Sequence, residues 1–166
     1  MKEPLIELMN ESIKLEFHLA DLYLIFSKAL PGDCAFWYQL HMEEINHASI
    51  IQSAREAWLS GRNPPLEILC PNVEELIELN KKVASLLEQY RENHPSRETA
   101  FNLALDLEES PGEAHLQNAM DQPPSSPLME LFQMLNGDGK KHASRIRTYM
   151  RDKGIRIDSQ PAKNHS

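Results

Sequence analysis

The sequence predicts an all-α protein: two antiparallel helical pairs joined by a long crossover that holds a helical segment of its own. Three observations carry this. Apolar residues recur at three- and four-residue spacing along most of the chain. Alternating runs of β-branched and polar residues, which would mark strands, are missing. The prolines gather mainly in short connecting stretches, two of them, Pro31 and Pro111, beside a glycine.

The first stripe is Leu5, Met9, Ile13, Ala20, Tyr23, Phe26 or Ser27, and Leu30, and Pro31-Gly32 ends it. Asp33 then offers an N-cap to a second helix running to about Ser60, with Phe36, Leu40, Ile51, Ala54 and Trp58 on its face. So short a turn makes the pair antiparallel. Gly61 to Asn72 contains Pro64, Pro65 and Pro71 and reads as a connection. Asn72 caps a third segment, Val73 to about Tyr90, with Leu76, Leu79 or Asn80, Val83, Leu86 and Leu87 facing inward. His94-Pro95-Ser96 interrupts, and Ser96 starts a helix through about Met120 that Pro111-Gly112 kinks or splits. Asp121 to Pro127 is a loop. A last helix follows from Leu128 to about Lys153, with Leu128, Phe132, Leu135, Ile146 and Tyr149 on its face. Residues 1–154 thus read as one helical domain and 155–166 as a flexible tail.

Composition narrows the function. A chain of 166 residues with 41% hydrophobic and 25% charged residues is long enough for one globular domain. Its net charge of −8 repels phosphate backbones and anionic lipid, so neither nucleic acid nor a membrane is an expected partner. Only Cys34 and Cys70 occur, and no CxxC, which argues against a disulfide scaffold, a structural zinc site and a thioredoxin-type centre. Both read as reduced, small hydrophobes. No run approaches the length of a membrane span, and acidic residues interrupt the first apolar stretch, so the cytoplasm is the expected location.

The chemistry lies in the gaps of the stripes. Glu16 falls between Ile13 and Ala20, and Glu44 and His47 fall between Leu40 and Ile51. That ExxH pair is about 60° apart around the helix axis and can reach one point. Glu108 continues the line of Ala100 and Ala104, and His142 lies between Leu135 and Ile146. One such residue is an ordinary boundary residue. Four helices each supplying one at mid-length is different, because burying several ionised carboxylates together is very costly without cations between them. Two dications would relieve the repulsion, and oxygen and imidazole donors without thiolate suit iron, manganese or zinc. His18, His41 and His94 lie off the stripes and read as solvent-facing, and Met129, Met134 and Met150 as packing residues.

The halves also look like repeats. EEINHASII (Glu43 to Ile51) lines up with GDGKKHASRI (Gly137 to Ile146), and LEFHLADLY with LEESPGEAH, matching Glu16 with Glu108 and Tyr23 with His115. Each pair folds back about its turn and brings its Glu level with its His.

On Glu16 and Tyr23 in IKLEFHLADLY, Glu44 and His47 in MEEINHAS, Glu108 in AFNLALDLEES and His142 in KKHAS, the chain from Leu5 to Met150 resembles the rubrerythrin-like branch of the ferritin-like superfamily. The resemblance implies a four-helix bundle around a non-haem centre of two iron ions, often in a homodimer, with peroxide- or dioxygen-linked oxidoreductase activity. It further implies that Glu16, Glu44 and His47 hold one metal and Glu108 and His142 the other, with Glu44 or Glu108 bridging and Tyr23 beside them as the catalytic tyrosine. The chain departs from the family in two places. The carboxylate expected three residues before His142 is replaced by Gly139, with Asp138 the nearest substitute. Pro111-Gly112 follows Glu108 closely, which makes Glu113 in GEAHL the alternative ligand. The family's rubredoxin-like module is absent, so electrons would come from a separate donor protein. Manganese, zinc or a single metal are the alternative occupants. The competing function is a helical interaction or regulatory module whose metal site is eroded or mononuclear.

Overall fold

The computed structural model of the chain describes residues 2–137 and 141–158, and every regular element among them is helical. The first stripe forms α1 (Lys2–Ala29), a single 3-10 turn spans Pro31–Asp33, and α2 (Cys34–Leu59) returns beside α1. The proline-rich connection leads to α3 (Val73–Glu92), where the Asn72 side chain accepts a hydrogen bond from the Glu75 amide as an N-cap should. Then come α4 (Arg97–Glu108), α5 (Pro111–Asp121), α6 (Pro127–Asn136) and α7 (His142–Asp152). Both arms of the second pair are broken: α4 packs against α7 and α5 against α6, while α3 lies along α1. No helix of the described residues is long and apolar enough to cross a membrane.

The breaks have local causes. Pro111 starts α5 in the first-turn position where its missing N–H costs nothing. The helix expected as one piece from Leu128 to Lys153 stops at Asn136, because Gly137 turns to φ 74°, a left-handed conformation that glycine adopts without a Cβ clash. Ending there leaves Leu135, expected on the inward face, 56% exposed and Met134, expected as a packing residue, 73% exposed. Asp138 and Gly139 lie outside the described residues.

Other sequence expectations shift for equally local reasons. Both members of the Phe26 or Ser27 alternative are buried, and of Leu79 and Asn80 it is Asn80 that is buried, its amide donating to the Glu11 carbonyl and carboxylate at 2.9 Å. His18 is half-buried against the Asn80 amide oxygen at 3.0 Å, and His41 donates to the Ala20 carbonyl at 2.8 Å. His94 is exposed, as expected, but so is Cys34. The start of the supposed tail is docked: Ile155 is buried, and Asn102 bonds the Arg156 carbonyl and the Asp158 amide at 2.9 and 2.8 Å.

Asp33 precedes α2 but makes no side-chain cap. Its buried carboxylate instead accepts two 2.7 Å hydrogen bonds from the Arg97 guanidinium and one of 2.8 Å from the Tyr149 hydroxyl, which ties the α1–α2 turn to α4 and α7. A bidentate charge-assisted pair is worth more than one bond to a backbone amide. The Arg97 hydrogen bonds hold the Asp33 carboxyl below its ordinary 3.8, so the stability it contributes is present above about that pH and lost as acid protonates it. Asp33→Ala should cost about 1–2 kcal/mol in urea unfolding at pH 7, because it removes three hydrogen bonds whose donors, Arg97 and Tyr149, water can still reach in part. An unchanged midpoint would show that the three bonds are replaced by water without loss.

Two apolar clusters fill the interior. One holds Trp37, Tyr23, Phe26, Phe101, Ile146 and Met150, and the other Met9, Ile13, Ile51, Leu116, Met129 and Phe132. The first draws on one end of α1 and α2 together with α4 and α7, and the second on the other end of α1 and α2 together with α5 and α6. Glu16, Glu44, His47, Glu108, Glu113 and His142 fall at the change from one cluster to the other. They form a polar layer between two apolar blocks.

Candidate metal centre

Each layer residue is at most 4% exposed, and Glu44 and Glu113 are fully buried. Glu44 occupies the middle. Its Oε2 lies 3.0 Å from His47 Nδ1 and its Oε1 2.9 Å from His142 Nδ1, so one carboxylate divides its oxygens between two imidazoles. The rings stack, with centroids 5.2 Å apart and planes 18° from parallel. Glu16 Oε2 is 3.4 Å from His47 Nδ1, and Glu108 Oε2 is 3.3 Å from His142 Nδ1.

The far edges of both rings are held. His47 Nε2 lies 2.9 Å from Asn136 Oδ1, and His142 Nε2 lies 2.8 Å from Glu43 Oε2, which also takes a 2.5 Å bond from Arg145. With an acceptor at each Nε2, that nitrogen keeps its proton and Nδ1 is the edge turned to the carboxylates. Glu108 is held in turn: Tyr23 donates its hydroxyl to Oε1 at 2.5 Å and Gln117 its amide to Oε2 at 2.8 Å. The Gln117 oxygen accepts the backbone N–H of His142 at 2.8 Å, fastening the start of α7 to the layer.

What the layer leaves unbonded is as informative. Both oxygens of Glu113, Glu16 Oε2, Glu44 Oε1 and His142 Nδ1 are buried without a hydrogen-bond partner. Glu44 Oε1 and His142 Nδ1 are 2.9 Å apart yet not aligned to bond each other. Buried groups of this kind cost free energy unless a proton or a cation meets them. Glu16, Glu44, His47 and Glu113 each offer a donor atom within 4.8 Å of the others, and so do Glu44, His47 and His142, a spacing suited to donors around one ion.

The titration behaviour follows from the same crowding. Burial, then the charges of Glu16, Glu44 and Glu108, push the Glu113 carboxyl well above its ordinary 4.5. Burial lifts Glu16 to about 8 and raises Glu108 as well. Burial by itself lowers an imidazole, but Glu16 and Glu44 outweigh it and hold His47 at about 10, while Glu44 and Glu108 hold His142 well above 6.5. Glu44 is kept well below 4.5 against its own desolvation because both imidazoles flank it, and Glu43 is likewise kept at about 2 by His142 and Arg145. Tyr23 is raised well above 10.0 by burial and then by the charge of Glu108. Balanced by protons alone, the layer keeps Glu16 and Glu113 neutral and its imidazoles charged.

Glu16, Glu44, His47, Glu108 and His142 therefore converge, and Tyr23 touches the layer through Glu108. Asp138 lies outside the described residues. Glu108 and Glu113, alternatives on the sequence, both turn inward. Five residues along an unbroken helix would set them about 140° apart. The interruption after Glu108 restarts the helix and re-aims Glu113. Gly112 permits this, since a Cβ there would stand 2.9 Å from Leu15 Cδ2 and 3.1 Å from Leu76 Cδ2. The repeat fails at His115, which lines a separate surface pocket instead of matching Tyr23.

Sequence reasoning missed Glu43, Gln117 and Asn136. Gln117 follows Glu113 by four residues and so shares its helix face, a usable signal. Glu43 and Asn136 carry none, because each reaches its histidine from another helix. A polar cleft of about 490 Å³, lined by Glu43, Asn46, His47, Gln117, His142 and Arg145 among others, reaches the two imidazoles. Comparison with protein-family models, with curated proteins and with solved structures finds no match.

Proposed function

We propose that this chain is a ferritin-like, rubrerythrin-like metalloprotein whose polar layer binds two divalent ions, iron before manganese or zinc. With iron bound it would act as a peroxide- or dioxygen-linked oxidoreductase fed by a separate electron donor. The observation that carries the metal reading is Glu113: a carboxylate with no exposure and no hydrogen-bond partner on either oxygen, within reach of Glu16, Glu44 and His47. The donors are carboxylate oxygens and imidazole nitrogens, the set that suits iron, manganese and zinc. The antiparallel α1–α2 pair and the second pair with its two broken arms are compatible with a ferritin-like bundle. The redox activity and the homodimer rest on the family resemblance.

Glu16, Glu44, His47 and Glu113 would hold one ion, and Glu44, His142 and Glu108 the other. Iron, when bound, would supply the one-electron steps that no side chain here provides. Glu44, which turns one oxygen to each imidazole, would contribute to both positions. Tyr23 is a positioning residue: its hydroxyl fixes one oxygen of Glu108. Asn136 and Glu43 hold the Nε2 edges so that both Nδ1 atoms face the ions. The apolar clusters exclude water on two sides, and the cleft leaves a polar approach for a small molecule.

Anaerobic titration of metal-stripped protein with Fe(II), read by elemental analysis after desalting, should give two ions per chain. Glu44→Gln should retain one at most, since it weakens both positions at once. One ion in the wild type would favour the mononuclear alternative, and none would remove the proposal.

A further inference from the structure

We infer that the two ion positions are unequal and fill in order, first at the Glu113 end and then at the His142 end. This rests on the two-ion reading above and goes beyond it in assigning rank and exchange to the positions.

The argument is an atom-by-atom comparison. At the Glu113 end three carboxylate oxygens are buried and unbonded, both of Glu113 and Oε2 of Glu16, and they face a single imidazole, His47. At the His142 end only Glu44 Oε1 and His142 Nδ1 are unbonded. Glu108, the other carboxylate there, already accepts from Tyr23 on one oxygen and from Gln117 on the other, so an ion would share it with two donors. Restarting the chain at Pro111 thus adds a carboxylate oxygen within 4.8 Å of donor atoms of Glu16, Glu44 and His47. Once an ion has displaced their protons, carboxylate oxygens that serve no other hydrogen-bond donor hold it more tightly than oxygens shared with a hydroxyl and an amide.

The polar cleft gives an ion a way out: it is lined by both imidazoles, with Asn136 on His47 Nε2 and Glu43 on His142 Nε2. The ion on His142 is the more weakly held. It should be the one that exchanges.

The test uses Co²⁺ on the full chain, followed by calorimetry and by its visible absorption, with excess chelator added afterwards. Two steps are expected, the first at least about tenfold tighter, and chelator should remove one equivalent at least about tenfold faster than the other. Glu113→Gln should erase the tight step and spare the weak one, and His142→Gln should do the opposite, both with wild-type helicity by circular dichroism. Should either variant fail to fold, the wild-type release kinetics decide alone. Two ions that bind in one step and leave at one rate would overturn the ranking while preserving the two-ion centre. A tight step that survives Glu113→Gln in a folded variant would overturn it as well. If no Co²⁺ binds, the two-ion reading falls and the ranking with it.

Discussion

Loading the layer with a divalent ion should reverse the way this protein's stability depends on pH. In the metal-stripped protein Glu16 titrates at about 8 when folded, against an ordinary 4.5. Between those values the folded chain carries a proton that the unfolded chain has lost, so stability falls as pH rises. His47 acts in the same direction, with stability fully present below its ordinary 6.5 and lost as pH approaches about 10. Glu43 works the other way only in acid, since its contribution is complete above 4.5 and fades as pH falls toward about 2. The stripped protein should therefore be most stable near pH 4.5, where the acid-side gain from Glu43 is ending and the loss through Glu16 is beginning.

Bound dications change the sign because they need the carboxylates ionised and His Nδ1 free, and protons compete with them for both. Binding at pH 7 should expel protons, which calorimetry in buffers of different ionisation enthalpy can count. Each unit of altered pKa is worth about 1.4 kcal/mol, and for a chain of this length 1 kcal/mol moves the melting temperature by about 2–4 °C. A fall of roughly 5–15 °C from pH 6 to pH 9 without metal, turning into a rise with saturating Mn²⁺, is the expected pattern. Parallel curves with and without the ion would mean that it binds elsewhere.

Trp37→Ala should be among the most damaging single substitutions outside the layer. Trp37 is fully buried, and its ring centroid lies 4.4 Å from Phe101, 5.0 Å from Phe26 and 5.6 Å from Tyr23. It joins α2 to α1 and α4 in the cluster that backs Tyr23, so its loss leaves a cavity that rigid aromatic neighbours close poorly. A cost of about 4–5 kcal/mol is expected, a large share of the 5–15 kcal/mol typical of a domain. Trp37→Phe should cost far less, about 1–2 kcal/mol, because the indole N–H it removes has no hydrogen-bond partner. Equal losses in the two variants by chemical denaturation would argue against cavity formation as the cause. Tyr23 would lose its backing, so Trp37→Ala should also weaken ion binding at the Glu108 end.

Much of the helical scheme was readable from residue order, because helical periodicity, prolines and caps act within a few positions. Glu16, Glu44, His47, Glu108 and His142 stood out by the same means, as polar interruptions of apolar stripes. Glu113 was visible as the alternative to Glu108, and that both turn inward depends on how the chain turns between Glu108 and Pro111. The sequence predicts a longer last helix because a glycine does not declare whether it bends or ends a helix. Here Gly137 ends it.

Local order along the chain was enough to place carboxylates and imidazoles on inward faces at mid-helix, because a side chain's direction follows from its position in a turn of its own helix. Which atoms meet was settled by packing: Glu44 between two rings, Glu43 and Asn136 behind them, Gln117 tying Glu108 to the start of α7. Apart from Glu44 with His47 in α2, those contacts join residues from different helices, and the Arg145–Glu43 bond beside them spans 102 positions, at ångström tolerances that helical periodicity does not encode.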